Sequence, residues 1–316
     1  MSETVLSLEG VSKSYGGKKA VREMSFSVKR GDIVGFLGPN GAGKTTSLRM
    51  ALGILAPDAG KVALFGKRPT ASVMKRVGFL PEERGIYRKM TAEAVLVFFG
   101  RLKGLSAGEA RKRAYKRLEE FGLGEAANKK IKELSKGMAQ KVQIIAALIH
   151  EPDFIILDEP FSGLDPVNQK TLEEMVRKEA EAGRTILFST HVMEHAERLC
   201  DQIVLIAKGR KVFDGGVDEV LASVPRRVLL EAAPDHDLAA LLSPLGEVTE
   251  EGEGEDGYRC WRVDLAPGSD AQSVLKACVE AGVKLSRFEP VKAHLHDAFV
   301  HLVGDEADET LAEEPA

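Results

Sequence analysis

An α/β fold is predicted for residues 1–224, with a largely parallel sheet covered by helices on both faces, followed by a small α+β domain. Three observations carry this. Apolar strand patterns alternate with helical stretches along residues 1–224. The first of those strand patterns runs straight into a glycine-rich turn that opens a helix. At Pro225 the texture changes to alternating strand segments, an acidic hairpin and short helices.

In chain order, Asp32–Leu37 has the pattern of a buried strand, Gly38–Gly43 that of a turn, and Lys44–Leu52 that of a helix. Residues 87–150 are mostly helical by period, and their basic face from Arg101 to Arg117 reads as solvated surface. Phe154–Leu157 and Thr185–Ser189 are two further apolar strands. Beyond Pro225, residues 226–233 read as a strand. Glu247–Asp256, with six acids and no base, reads as a hairpin with a solvated tip leading into the alternating strand Tyr258–Leu265. Asp270–Ala281 and His296–Val303 have helical spacing, and the tail from Asp305, again six acids without a base, reads as disordered. The expected domains are therefore 1–224, 225–303 and a tail, 304–316.

Bulk properties narrow the function. The 316 residues carry 44 Lys+Arg against 48 Asp+Glu, a net charge of −4. That balance disfavours general nucleic-acid binding, which rests on neutralising phosphates, and no nucleic-acid partner is expected. The three cysteines, Cys200, Cys260 and Cys278, form no C-x-x-C pair, so no cysteine metal motif is present and a reduced compartment is expected. The opening MSETVLSLEG carries acids and no apolar core, so no signal peptide is expected. The apolar runs are far too short to cross a bilayer. Any membrane process would be served from the side.

Two segments carry chemistry. Gly38-Pro39-Asn40-Gly41-Ala42-Gly43-Lys44-Thr45 fits G-x-x-x-x-G-K-[ST] between a strand and a helix. Glycines let the backbone curl so that N–H groups point at phosphate oxygens, and the helix start adds partial positive charge. Lys44 can reach the β- and γ-phosphates, the Thr45 hydroxyl can ligate Mg²⁺, and Thr46 follows in the first turn. The second segment is the apolar strand ending in Asp158-Glu159. Adjacent carboxylates closing a buried strand are costly unless paired or metal-bound. Asp158 fits an Mg²⁺-linked aspartate, and Glu159 then lies where it could polarise an attacking water. The plainer alternative for Glu159 is a strand-end surface acid.

With these two motifs in order, the chain resembles the ATP-binding-cassette (ABC) family over roughly residues 4–224. Leu134-Ser135-Lys136-Gly137-Met138 resembles the family's signature segment, though the family usually has Leu-Ser-Gly-Gly-Gln, and it precedes a helix, Ala139–Ile149. Ser162-Gly163-Leu164-Asp165 resembles the loop joining two sites across a dimer. His191 resembles the switch histidine at the γ-phosphate, and Tyr15 the aromatic that stacks on adenine, where an ordinary packing tyrosine is the alternative. The usual Mg²⁺-sensing glutamine is matched by Glu82 in Leu80-Pro81-Glu82-Glu83-Arg84-Gly85-Ile86-Tyr87. That stretch and the C-terminal domain, which ends in Leu295–Leu302, are similar to ATPase components of two-component exporters of the ABC-2 type, including sodium and drug exporters.

The resemblance implies a P-loop NTPase of the ABC ATPase fold with a helical subdomain. It implies ATP and Mg²⁺ as cofactors and the reaction ATP + H₂O → ADP + phosphate. Glu159 and His191 would act in catalysis. Nucleotide would be held by Tyr15, Gly38–Thr46, Ser135 and Gly137, and the metal by Thr45, Asp158 and Glu82. Implied partners are a separate membrane permease and a second ATPase subunit, identical or not, with the chain peripheral on the cytoplasmic face of the membrane. Two alternatives compete: a soluble ATPase of the same fold acting on ribosomes or DNA, and a non-catalytic ATP-binding regulator. Against the first stand a single Lys44-type motif and no sustained heptads, and against the second the presence of both Glu159 and His191.

Overall fold

The computed structural model describes residues 3–82, 85 and 87–312, without the side chains of Glu255 and of residues 305–312. The chain divides into two compact units, Met1–Val217 and Asp218–Ala316. The first ends ahead of the expected 224, because the helix at Val217–Ser223 groups with the second unit from Asp218 onward.

The first unit begins with β1 (Thr4–Tyr15), β2 (Lys18–Lys29), β3 (Ile33–Leu37), α1 (Lys44–Ala51), β4 (Ala59–Leu64) and β5 (Val77–Leu80). It continues through α2 (Ala92–Leu102), α3 (Ala107–Glu120), α4 (Lys136–Leu148), β6 (Phe154–Asp158), α5 (Pro166–Glu181), β7 (Thr185–Thr190), α6 (Met193–Leu199), β8 (Gln202–Ala207) and β9 (Arg210–Gly216). A six-stranded sheet has the order β5-β6-β7-β3-β8-β9 and is parallel except for the β8–β9 pair. Every residue of β3, β6 and β7 is buried, as expected for central parallel strands covered on both faces. The parallel sheet agrees with the sequence reading. A second, antiparallel sheet, β2-β1-β4, is additional to it. Strand β2 alternates between buried and exposed positions, with Val21, Met24, Phe26 and Val28 turned inward, and the sheet shares one core with α1 and the large sheet.

Helices α2–α4 enclose a separate core built on Val95, Leu96, Leu118, Val142 and Ile145. Each begins at a side-chain cap: Thr91, Ser106 and Ser135 accept from the amides of Ala94, Glu109 and Met138. The cap at Ser135 starts α4 at Lys136, ahead of the expected Ala139. The basic face also departs from expectation. Arg111 is exposed and pairs with Glu93, but Arg117 is only 13% exposed and reaches the buried carboxylate of Glu179 at 2.9 Å, so it ties α3 to α5 instead of facing water.

The second unit contains α7 (Val217–Ser223), β10 (Arg227–Ala232), α8 (Leu238–Leu242), β11 (Gly246–Glu253), β12 (Arg259–Leu265), α9 (Ala271–Glu280), β13 (Leu285–Val291) and α10 (Leu295–Ala312). Its sheet is antiparallel in the order β11-β12-β10-β13, a split β-α-β arrangement with Val228, Leu230, Val263 and Val274 in its core. The acids Glu247, Glu250, Glu251 and Glu253 lie on exposed β11, where Glu250 and Glu251 pair with Arg259 and Arg262 of β12. Strand β13 has no counterpart in the sequence reading, since an edge strand holding Pro290 among charges lacks a strand's usual signature. Helix α10 continues to Ala312, past the start of the expected tail, through Ala, Glu and Leu residues of good helix propensity.

Candidate active site

The turn after β3 is shaped by two glycines that no other residue could replace. A Cβ on Gly38 would lie 2.2 Å from the Ile206 carbonyl oxygen of β8. Gly43 has φ +101°, and a Cβ there would meet the Ala20 carbonyl oxygen at 2.5 Å. Gly43 is also the N-cap of α1 and supplies no side-chain cap. The first-turn amides of Lys44, Thr45 and Thr46 therefore face outward at the positive end of the helix dipole, the arrangement that takes an anion. The amide of Ala42 donates to the Pro39 carbonyl at 3.2 Å and closes the turn.

Lys44 is only 6% exposed and folds back across this cradle. Its Nζ donates to the carbonyls of Gly38 (2.7 Å) and Pro39 (3.2 Å) and lies 3.2 Å from Glu159 Oε1. The last of these is a charge contact without hydrogen-bond alignment. Glu159 Oε1 is buried and accepts no hydrogen bond.

The opposite wall is built by pairing β6 with β7, which sets Asp158 beside Ser189. Asp158 accepts from Ser189 Oγ at 2.5 Å and from Thr45 Oγ1 at 3.4 Å. Burial pushes the Asp158 carboxyl up, the neighbouring Glu159 adds to the rise, and the two hydroxyls and Lys44 oppose it. Glu159 leaves the strand in the left-handed region, φ 48°, held there by its amide, which donates to Ser189 Oγ at 3.0 Å. A non-glycine residue in this region stores strain, a feature that clusters at functional sites. Its Oε2 lies 2.9 Å from His191 Nδ1.

Lys44, Thr45 and Glu159 border a cleft of about 280 Å³, and Asp158 and His191 join it through their contacts with Thr45 and Glu159. Asn40, Gly41, Gly43, Lys44, Thr45 and Thr46 line one side, with Ala20, Glu82 and Glu159 around the rest. The structure thus brings the turn, Thr46, Glu82 and the Asp158–Glu159–His191 group together. Of the stretch around Glu82, residues Glu83, Arg84 and Ile86 lie outside the described residues. Tyr15 is half-exposed at the end of β1, with Lys13 Nζ 6.0 Å over its ring, and is not part of the cleft lining. Ser135 and Gly137 are not part of it either. Gly137 faces the start of α5, where a Cβ would come within 2.9 Å of Asn168 Nδ2. Asn168 in turn bonds the N-cap Asp165, whose carboxyl it holds below the usual range.

Three contributors escaped sequence reasoning. Ser189 orients both acids, and its signal was a polar residue closing an apolar strand, as Asp158 does. Gln140 is buried and donates to the Pro160 carbonyl at 2.8 Å. Ala20 lies on β2, remote in sequence and without any local signal.

Known proteins similar to this chain are described as ABC transporter components. A family model described as ABC transporter matches residues 21–162. An uncharacterized ABC transporter ATP-binding protein, YhaQ, of Bacillus subtilis is 38% identical over 95% of this chain and 99% of its own length. The Nod factor export ATP-binding protein I of Paraburkholderia xenovorans is 38% identical over 97% and 99%. The daunorubicin resistance ATP-binding protein DrrA3 of Streptomyces coeruleorubidus is 34% identical over 97% and 98%. Among solved structures, an ATP-binding subunit of an ABC transporter matches with a TM-score of 0.64 at 33% identity, covering 69% of this chain and 92% of that one.

Proposed function

The chain belongs to the ABC transporter family as an ATP-binding subunit of export type, and from that premise we propose that it hydrolyses ATP to ADP and phosphate with Mg²⁺ to drive a separate membrane permease. The observation that carries this is the buried Asp158–Glu159 pair facing Lys44 and Thr45 across the glycine turn.

The residues present fit a magnesium nucleotide. The first turn of α1 has no side-chain cap, Glu159 Oε1 is buried without a hydrogen-bond donor, and burial raises the pKa of Asp158, a cost that a cation would relieve. Thr45 and Asp158 are the oxygens suited to Mg²⁺, which is commonly held by one or two protein groups together with phosphates. When bound, Mg²⁺ supplies charge neutralisation at the phosphate oxygens. The rest falls to the chain. The first-turn amides and Lys44 hold the phosphates, Ser189 orients Asp158, and Glu159, backed by His191, accepts a proton from the attacking water. Glu82 lines the cleft, which supports a role for it at the metal or at a water bound to it, and Tyr15, outside that lining, would stack on the base.

Ser135 and Gly137 lie outside their own chain's cleft, which supports a site completed by a second subunit whose signature segment meets the γ-phosphate. Taking such a dimer from mostly open to mostly closed needs about 5.5 kcal/mol of differential binding. Several charge-assisted donors to one phosphate, at roughly 1.5–3 kcal/mol each, are sufficient. Among the described residues no helix is long and apolar enough to cross a membrane. The permease partner supplies the span, and the chain works on its cytoplasmic side.

Phosphate release by the purified chain, with and without Mg²⁺, tests this. The wild type should turn over only with the metal. Lys44→Ala should neither bind nucleotide nor release phosphate, and retained nucleotide affinity in Lys44→Ala would overturn the assignment of the cradle.

A further inference from the structure

The segment leaving β6 is held at both ends by histidines four residues apart. At one end His191 meets the Glu159 carboxylate. At the other, Phe161 lies face to face with His195 of α6, ring centroids 4.0 Å apart and planes within 13°, and its edge meets Phe188 of β7. Phe161 and His195 are 3% and 4% exposed. Between these ends the chain makes a tight turn: the Ser162 amide donates to the Glu159 carbonyl at 3.2 Å, and the Leu164 amide to the Phe161 carbonyl at 3.2 Å.

The imidazole of His195 is itself oriented. Its Nδ1 lies 2.9 Å from Glu173 Oε1 on α5, the same oxygen that accepts from Arg198 Nη2 at 2.8 Å. A site needing only apolar filling would take a leucine or phenylalanine. A buried imidazole engaged by a carboxylate carries a desolvation cost that is offset only when its geometry is specified. Phe161 stands two residues beyond Glu159, whose φ is 48°, within the turn that the Ser162 amide closes on the Glu159 carbonyl.

We infer that His195, locked by Glu173, is a positioning residue for Glu159, acting through the Phe161 stack. This rests on the reading of Glu159 as the proton acceptor. It ties the γ-phosphate side of the site, through α6, to the 162–165 loop that leads into α5.

Two variants test it. His195→Phe keeps an aromatic disc on Phe161 but breaks the contact with Glu173. Glu173→Gln keeps size and removes the charge that orients the ring. In both, turnover at saturating ATP should fall by about ten- to a hundredfold, the cost of shifting a catalytic group by up to about 1 Å, while nucleotide affinity stays at the wild-type value. In a Glu159→Gln background neither should slow the residual single-turnover rate further, because the group they position is gone. Should His195→Phe fail to fold, Glu173→Gln alone carries the test. Wild-type turnover in a folded variant, or an equal further loss in the Glu159→Gln background, would overturn the inference. Wild-type turnover in Glu159→Gln itself would instead overturn the reading of Glu159, so the two failures are distinguishable.

Discussion

Replacing Glu159 by glutamine removes one negative charge and keeps the volume of the side chain. In the structure that carboxylate faces Lys44 Nζ at 3.2 Å and His191 Nδ1 at 2.9 Å. Lys44 retains the carbonyls of Gly38 and Pro39 as acceptors, so the cradle stays assembled and nucleotide affinity should hold. What is lost is a proton acceptor in the transition state, worth about 10²–10⁴ in rate, or about 2.7–5.4 kcal/mol of barrier. Stability without nucleotide should fall, because the buried Lys44 ammonium loses its charged partner and keeps only the Gly38 and Pro39 carbonyls. Single-turnover phosphate release at saturating Mg-ATP, beside nucleotide affinity on the same preparation, separates the two effects. The expected outcome is intact binding, slow release and an ATP-dependent dimer that persists in solution. Wild-type release, or a loss of rate that tracks a loss of affinity, would show that Glu159 is not the proton acceptor.

Ser135→Arg puts bulk and charge at the cap of α4; each monomer should still bind ATP, and in the Glu159→Gln background the ATP-locked dimer should vanish, as solution mass would report. Asp158→Asn removes the buried acid beside Thr45, so nucleotide affinity should lose its dependence on Mg²⁺. In the wild type that dependence should weaken as pH falls through the raised pKa of Asp158, where a proton competes with the metal. His150 is pushed down from 6.5 to about 4 by burial first and then by Lys103, Arg184 and Arg113. The unfolded chain binds this proton between those limits and the folded chain does not, so stability is full above pH 6.5 and declines toward pH 4. The loss should reach at most about 3 kcal/mol. Urea midpoints across that range should flatten in His150→Gln, whose amide can still donate to the Val77 carbonyl.

Features encoded within a short stretch are legible from the residues alone. The Gly38–Thr45 turn needs only its own glycines and the helix that follows it, and β6 ending in two acids is legible within six residues. The caps at Ser135 and Asp165 are equally local, and both are seen in the folded chain. The alternating texture beyond Pro225 marked a second domain, though the short helix α8 and the edge strand β13 carry too little periodicity to be read. Which of these stretches meet is fixed only once the chain has folded. Strand β3 lies between β7 and β8, so the cradle stands beside residues about 150 positions away. The β6–β7 register sets Ser189 against Asp158, and the strand ends set His191 against Glu159. Ala20 reaches the cleft from an antiparallel sheet that alternation in residues 4–29 did not announce. Turns and caps are satisfied by hydrogen bonds between near neighbours. The sheet order is instead decided by burying apolar strands across long loops, and the strand ends bring the chemistry with them.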